Sequence, residues 1–128
     1  MLRNHRFLGT WELVSFESRA ANGTVSYPMG PDPVGLIMCD ETGHVSAQLG
    51  PRGGDGRGYV AYFGLAEADD AAEGTLVTRV AGGSSERFRA DQVRRFAFTG
   101  DDELVLSPPP GTDGTLMVLV WRRLKPRT

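Results

Sequence analysis

The sequence has little of several residue types that mark particular kinds of protein. Its 128 residues include one cysteine, Cys39, and two histidines, which lie in different segments. A single cysteine excludes a framework of internal disulfides and a zinc site built from several cysteines. The longest apolar run, residues 116–121, is far shorter than the roughly 20 residues of a transmembrane helix. We therefore expect no metal site and no membrane partner.

Positive charge is not in excess either. Fourteen basic residues stand against 16 acidic residues, which gives a net charge of −2. Proteins that bind nucleic acid usually carry a basic patch, so we expect no nucleic-acid partner. The first eleven residues contain no apolar stretch of the kind found in a secretory signal, so we expect a cytoplasmic location.

Glycine and proline are abundant, and they separate short segments in which apolar and polar residues alternate. This two-residue period is typical of β-strands. Eight segments in mostly hairpin order predict an all-β, single-domain fold over residues 1–128, an antiparallel up-and-down barrel or a sandwich. Residues 59–64 fit either a single helical turn or the start of a strand. The predicted strands cover residues 9–19, 34–39, 44–49, 65–69, 75–81, 91–98, 103–107 and 115–124.

The stretch FLGTWEL, residues 7–13, resembles the opening of proteins in the calycin superfamily. In lipocalins a Gly-x-Trp motif begins the first strand, and its tryptophan plugs the closed end of the barrel. Gly9 and Trp11 match this motif. The resemblance also implies an arginine late in the last strand that packs over the indole ring, and Arg122 or Arg123 is placed to match it.

Most of the chain is similar to bacterial proteins of the lipocalin-like domain family. The similarity rests on five strings that follow one another along the sequence: GTWELVSFE, YPMGPDPVGLIMCDETGHVSAQL, AYFG, QVRRFAFTGDDELVLSPPP and LVWRR. The resemblance implies an eight-stranded lipocalin-like barrel. The interior of a barrel of this size is either filled by side chains or holds one small ligand.

Polar residues lie within the pattern of the sixth predicted strand. Alternation places Gln92, Arg94 and Phe96 on one face, which we expect to point inward. A buried arginine is costly unless it is paired or faces an anionic ligand. We therefore expect Arg94 and Gln92 to anchor a ligand carboxylate or carbonyl group. The alternatives are an internal ion pair of Arg94 with Glu17 or Glu67, and the opposite register, in which Arg94 lies in water.

Further residues complete the predicted cavity, for which we expect no cofactor. Tyr62 would lie near its mouth as a hydrogen-bond donor, and Met38, Phe63, Phe96 and Trp121 would form an apolar wall. An apolar lining with few polar groups is typical of small-molecule sites. We predict that the protein binds a small, largely apolar molecule.

Two other hypotheses remain open from the sequence. The first is a cofactor-free cyclase or isomerase in natural-product biosynthesis, which folds a polyene or polyketide-like substrate inside an apolar cavity. Tyr62 or Glu17 would then be the general acid or base, and Arg94 would stabilise developing negative charge. The second is a filled barrel that acts through its outer surface, for instance as a homodimer.

Overall fold

The computed structural model describes residues 5–53, 55–69 and 74–127 of the chain. Two short 3₁₀ helices, His5–Phe7 and Glu86–Arg89, accompany the β-strands. None of the helices in these ranges is long and apolar enough to span a membrane. The strands are β1 (Gly9–Arg19), β2 (Val25–Ser26), β3 (Val34–Cys39), β4 (His44–Gly50), β5 (Val60–Asp69), β6 (Thr75–Gly83), β7 (Gln92–Thr99), β8 (Glu103–Ser107) and β9 (Leu116–Arg123).

The strands form a closed antiparallel barrel. Sequential strands from β3 to β9 pair with one another, and β1 pairs with both β3 and β9, which joins the two edges of the sheet. Eight strands therefore close the barrel, as the sequence predicts, and β2 adds two residues beside the end of β1. Residues 59–64 fit either a helical turn or the start of a strand from the sequence alone. In the structure, residues 60–64 begin β5.

One irregularity in β1 changes which side chains face the interior. Leu13 pairs with Trp121 of β9, but the next paired residue of β1 is Ser15, so Val14 is the extra residue of a β-bulge. A bulge interrupts the strict alternation of a strand. As a result Leu13 and Phe16 are both buried, whereas Val14 is exposed.

The bulge also overturns one prediction. Glu17 was expected on the same face as Trp11, where it would approach Arg94. Because the alternation shifts at Val14, Phe16 faces inward and the next residue, Glu17, points outward. Glu17 forms an ion pair with Arg19, with 3.0 Å between Oε1 and Nε. The predicted pairing of Glu17 with Arg94 and its predicted role inside the barrel are therefore wrong.

Trp11 plugs one end of the barrel, which we term the closed end. The indole is fully buried, and its Nε1 donates a hydrogen bond to the carbonyl of Phe7 over 3.0 Å. Phe7 packs edge-on against Phe96 and Phe98, with ring centroids 4.8 and 4.9 Å away. Phe96 faces inward as predicted. It belongs to this filled cluster, however, and its predicted place in a cavity wall is wrong.

The structure distinguishes between the two candidate arginines of β9. The guanidinium carbon of Arg123 lies 4.2 Å from the ring centroid of Trp11. Arg122 is one residue away, so it points outward and forms an ion pair with Glu12, with 2.9 Å between Nη2 and Oε2. Arg123 is therefore the arginine over the plug, and the assignment of Arg122 to it is wrong.

Candidate ligand-binding site

The half of the barrel opposite Trp11, which we term the open half, contains a cavity of about 250 Å³. Small-molecule sites usually enclose roughly 300–1,000 Å³, so this cavity suits a compact ligand. Loops cover it from above: Met29 comes from the segment before β3, Phe88 from the second 3₁₀ helix, and Pro108 from the segment after β8. Its strand walls are apolar and include Phe16, Ile37, Ala47, Leu49, Leu106 and Leu119.

Tyr62 of β5 is one of the few polar residues that line the cavity. Its ring stacks on Phe88, with centroids 6.2 Å apart and 6° between the ring planes. Burial raises the pKa of the Tyr62 phenol, and the positive charge of Arg94 partly opposes this effect. The phenol is therefore protonated at neutral pH and can donate a hydrogen bond into the cavity.

Arg94 of β7 places a partly buried positive charge at the same cavity. Its Nη2 donates to Oε1 of Gln92 over 2.9 Å, and its Nη1 donates to the carbonyl of Val93 over 2.8 Å. Burial lowers the pKa of Arg94, which Tyr62 opposes and the cation of Arg87 reinforces. An arginine nevertheless remains protonated in proteins. Within the described ranges, no carboxylate forms an ion pair with Arg94.

Gln92 supports this arrangement from outside the cavity lining. It is only 6% exposed, and its Nε2 donates to the carbonyls of Arg87 (3.0 Å) and Ala90 (2.8 Å). The same amide accepts from Arg94, so it fixes the guanidinium and the second 3₁₀ helix together. Gln92 faces inward as predicted, but its contacts make it a positioning residue for Arg94.

Trp121 of β9 contributes the last polar group of the lining. The residue is 2% exposed, and its Nε1 is buried without a hydrogen-bond partner in the part of the chain that the structure describes. A buried N–H group that lacks a partner costs free energy comparable to a lost hydrogen bond. The indole N–H is therefore an unsatisfied donor in a residue of the cavity wall.

Two residues of the predicted wall lie outside the barrel. Met38 and Phe63 are 45% and 54% exposed. Each follows an inward-facing neighbour, Ile37 in β3 and Tyr62 in β5, and successive side chains of a strand point to opposite faces. The prediction that Met38 and Phe63 contact a ligand in the cavity is therefore wrong. Trp121 and Tyr62 do line the cavity, and their roles toward a ligand stay predictions.

Sequence reasoning missed Arg87 and Phe88, which both line the cavity. They lie in a segment that was interpreted as a loop between two strands. The one available signal is Phe88 itself, because a large aromatic residue among glycine, serine and arginine needs an apolar surface to cover. The guanidinium of Arg87 lies 5.5 Å from the centroid of that ring, at the exposed mouth of the cavity.

The turn between β3 and β4 carries Asp40, Glu41 and His44 close together in sequence. Its Asp40 carboxylate accepts hydrogen bonds from the backbone N–H (3.0 Å) and hydroxyl (2.6 Å) of Thr42, and these bonds lower the pKa of Asp40. His44 Nδ1 lies 2.6 Å from the same hydroxyl. Over the described ranges, no group of three or more potential ligands could hold a metal ion.

Fold and site together define a closed, eight-stranded β-barrel with one plugged end and an apolar internal cavity. Residues 8–56 match the family model of the lipocalin-like domain, which confirms the resemblance seen in the sequence. Among solved structures, a redesigned β-barrel is similar, with 11% identity over 94% of this chain and 93% of that chain and a TM-score of 0.49. A comparison with curated proteins found no match.

Proposed function

We propose that the protein binds one small, largely apolar molecule in the open half of the barrel. The observation that carries this proposal is the cavity of about 250 Å³, whose walls are mainly aliphatic and aromatic. Burial of apolar ligand surface contributes roughly 25 cal/mol per Å² before the costs of association, so such a lining favours an apolar molecule. The family match is compatible with this function.

The contents of the cavity favour binding over catalysis. A cyclase or isomerase that moves a proton needs a base, and Glu17 lies outside the barrel. The raised pKa of Tyr62 suits a proton donor and not a base. Among the described lining residues there is no carboxylate and no imidazole. The cavity also argues against a completely filled barrel, although the closed half is filled.

A neutral fluorescent ligand tests the binding proposal. N-phenylnaphthylamine is apolar and uncharged, and its emission rises when it leaves water. We expect saturable binding with one site per chain. Val60→Trp should weaken this binding at least tenfold, because Val60 lines the cavity and an indole there would occupy it. Met38→Trp is the matched control, because Met38 lies on the outer face.

Two results would contradict the proposal. The first is emission that rises linearly with the fluorophore, as expected for contact with exposed apolar surface. The second is equal affinity of the wild-type protein and the Val60→Trp variant, provided that circular dichroism and thermal unfolding show both proteins folded. Weaker binding by Met38→Trp alone would place the fluorophore on the outer surface.

A further inference from the structure

We propose that the natural ligand is an apolar acid whose single carboxylate is held by Arg94 inside the barrel. This inference rests on the proposed binding function and names the chemical class of its ligand. The polar groups of the cavity lining carry it, because all of them offer hydrogen-bond donors and two of them are cations. The four residues are Tyr62, Arg87, Arg94 and Trp121.

Arg94 is partly buried and has hydrogen-bond donors that no protein group uses in the described ranges. A guanidinium carries five N–H groups. The contacts to Val93 and Gln92 use two of them, and the others have no partner in the described ranges. Gln92 and the Val93 carbonyl are neutral acceptors, so they orient the cation without neutralising its charge. A partly buried cation without a counterion favours an anionic ligand.

Tyr62 and Trp121 add to the same preference. Tyr62 and Arg94 line the same cavity, and the phenol is protonated, so both can donate to a ligand there. Trp121 is a further lining residue, and its buried Nε1 is a donor without an acceptor in the described part of the chain. Arg87 at the exposed mouth adds positive charge along the route into the cavity.

Other ligand classes fit these groups less well. A hydrocarbon would leave the Arg94 cation without a counterion and the Trp121 N–H without an acceptor. An amine would place a positive charge beside Arg94. A dianion such as a phosphate monoester carries more negative charge than Arg94 alone can neutralise, and Arg87 is exposed to solvent. A monocarboxylate supplies one negative charge and four acceptor sites, and its apolar body contacts the aliphatic wall.

Matched pairs of acids and neutral isosteres test this inference. A nitro group has the shape of a carboxylate but carries no net charge. Naphthoate against nitronaphthalene and octanoate against nitroheptane should be compared at neutral pH, each by displacement of bound N-phenylnaphthylamine and by calorimetry. We expect each acid to bind the full chain at least tenfold more tightly than its nitro partner.

Variants assign the preference to particular groups. Arg94→Met keeps an unbranched side chain without the charge and should abolish the preference, whereas Arg94→Lys should retain part of it. Arg95→Met is the matched control, because Arg95 is exposed on the other face of β7. Trp121→Phe keeps an aromatic ring without the N–H and should weaken the acids several-fold more than the nitro compounds.

The outcomes separate this inference from the binding function. Equal affinity for acids and nitro compounds, or an unchanged preference in a folded Arg94→Met variant, would overturn the acid proposal and leave the binding function in place. The acid proposal also fails if the fluorophore binds inside the barrel but no acid displaces it. Failure of the fluorophore and of all four compounds to bind would overturn both.

Discussion

At the scale of single residues, Arg123 combines more interactions than any other described cation. Its guanidinium lies over Trp11, and it donates hydrogen bonds to the carbonyls of Arg6, Leu8 and Asp101. The first two carbonyls belong to the segment that leads into β1, and the third belongs to the turn between β7 and β8. Arg123 therefore ties the two ends of the described chain to a hairpin turn around the plug.

We expect Arg123→Met to lower the free energy of unfolding by about 2–4 kcal/mol, because it removes charged hydrogen bonds and a cation–π contact. Arg122→Met is the control, since the ion pair of Arg122 with Glu12 is exposed and worth under about 1 kcal/mol. Urea unfolding measures both values. Equal losses of unfolding free energy in the two variants would show that the contacts of Arg123 contribute no more than the exposed ion pair of Arg122.

Cys39 is a buried thiol at the end of β3. Burial and the neighbouring charge of Asp40 raise its pKa from 9.0 to about 12, although Arg123 opposes them. At pH 8 this shift lowers the thiolate fraction about a thousandfold relative to an exposed cysteine. Since the thiolate is the reactive form, the native protein has an inert cysteine.

The same shift predicts how stability depends on pH. The pKa of Cys39 is higher in the folded state, so its contribution is fully present below pH 9.0 and is lost as the pH rises toward about 12. We expect the free energy of unfolding to fall across this range, and less steeply in Cys39→Ala. Ellman's reagent should react with the native protein only after unfolding. Rapid reaction of the folded protein with Ellman's reagent at pH 8 would contradict the raised pKa of Cys39.

Arg94 was predictable as a cavity residue because β7 alternates regularly, whereas Tyr62 lies in a segment with two interpretations and Trp121 ends a continuous apolar run. Phe96 was placed correctly on the inward face, but a strand pattern does not tell which depth of a barrel is filled. Arg87 and Phe88 were not predictable. Their positions depend on contacts of a short helix with Gln92 and Tyr62, and such contacts leave no period in the sequence.

At the scale of elements, the turns and alternating segments predicted all eight barrel strands, because both signals are local. The bulge at Val14 was missed for the opposite reason. Nothing in the Val14-Ser15 pair marks an extra residue. The bulge is visible only in the pairing with β9, where Leu13 and Ser15 pair with consecutive residues. One such residue exchanges the inner and outer faces of the second half of β1, and this is why Glu17 was misplaced.

Two alanine substitutions test the bulge. In a strand that alternates strictly from Trp11, Val14 and Phe16 would both point outward, and both substitutions would be mild. With the bulge, we expect Phe16→Ala to cost about 3 kcal/mol because it empties a buried site, and Val14→Ala to cost under about 0.5 kcal/mol. Chemical unfolding compares them directly. Similar small losses would rule the bulge out.

At the scale of the whole molecule, the two halves of the barrel differ in packing. The closed half is filled by Trp11, Phe7 and their aromatic neighbours, and the open half surrounds the cavity. The pairing of β6 with β7 also ends at Thr78 and Gln92, so the rest of β6 lacks this neighbour. Regions with fewer packed contacts open more readily than a filled core.

Hydrogen exchange should report this difference. We expect the backbone amides of residues 9–13 and 103–106 to exchange at least a hundredfold more slowly than those of residues 79–83 and 86–89. Addition of N-phenylnaphthylamine should slow exchange in the second set more than in the first, because the ligand contacts only the open half. Uniform exchange across the barrel, or protection of the closed half alone, would contradict this description.

The seam between β1 and β9 has a consequence for how the protein is made. A ribosome releases β1 first, yet β1 gains its second neighbour only when β9 has emerged, about a hundred residues later. Until then the nascent sheet has open edges at β1 and β8, and the Trp11 plug lacks Arg123. Open edges recruit other chains. We therefore expect the unfinished polypeptide to aggregate more readily than the completed barrel.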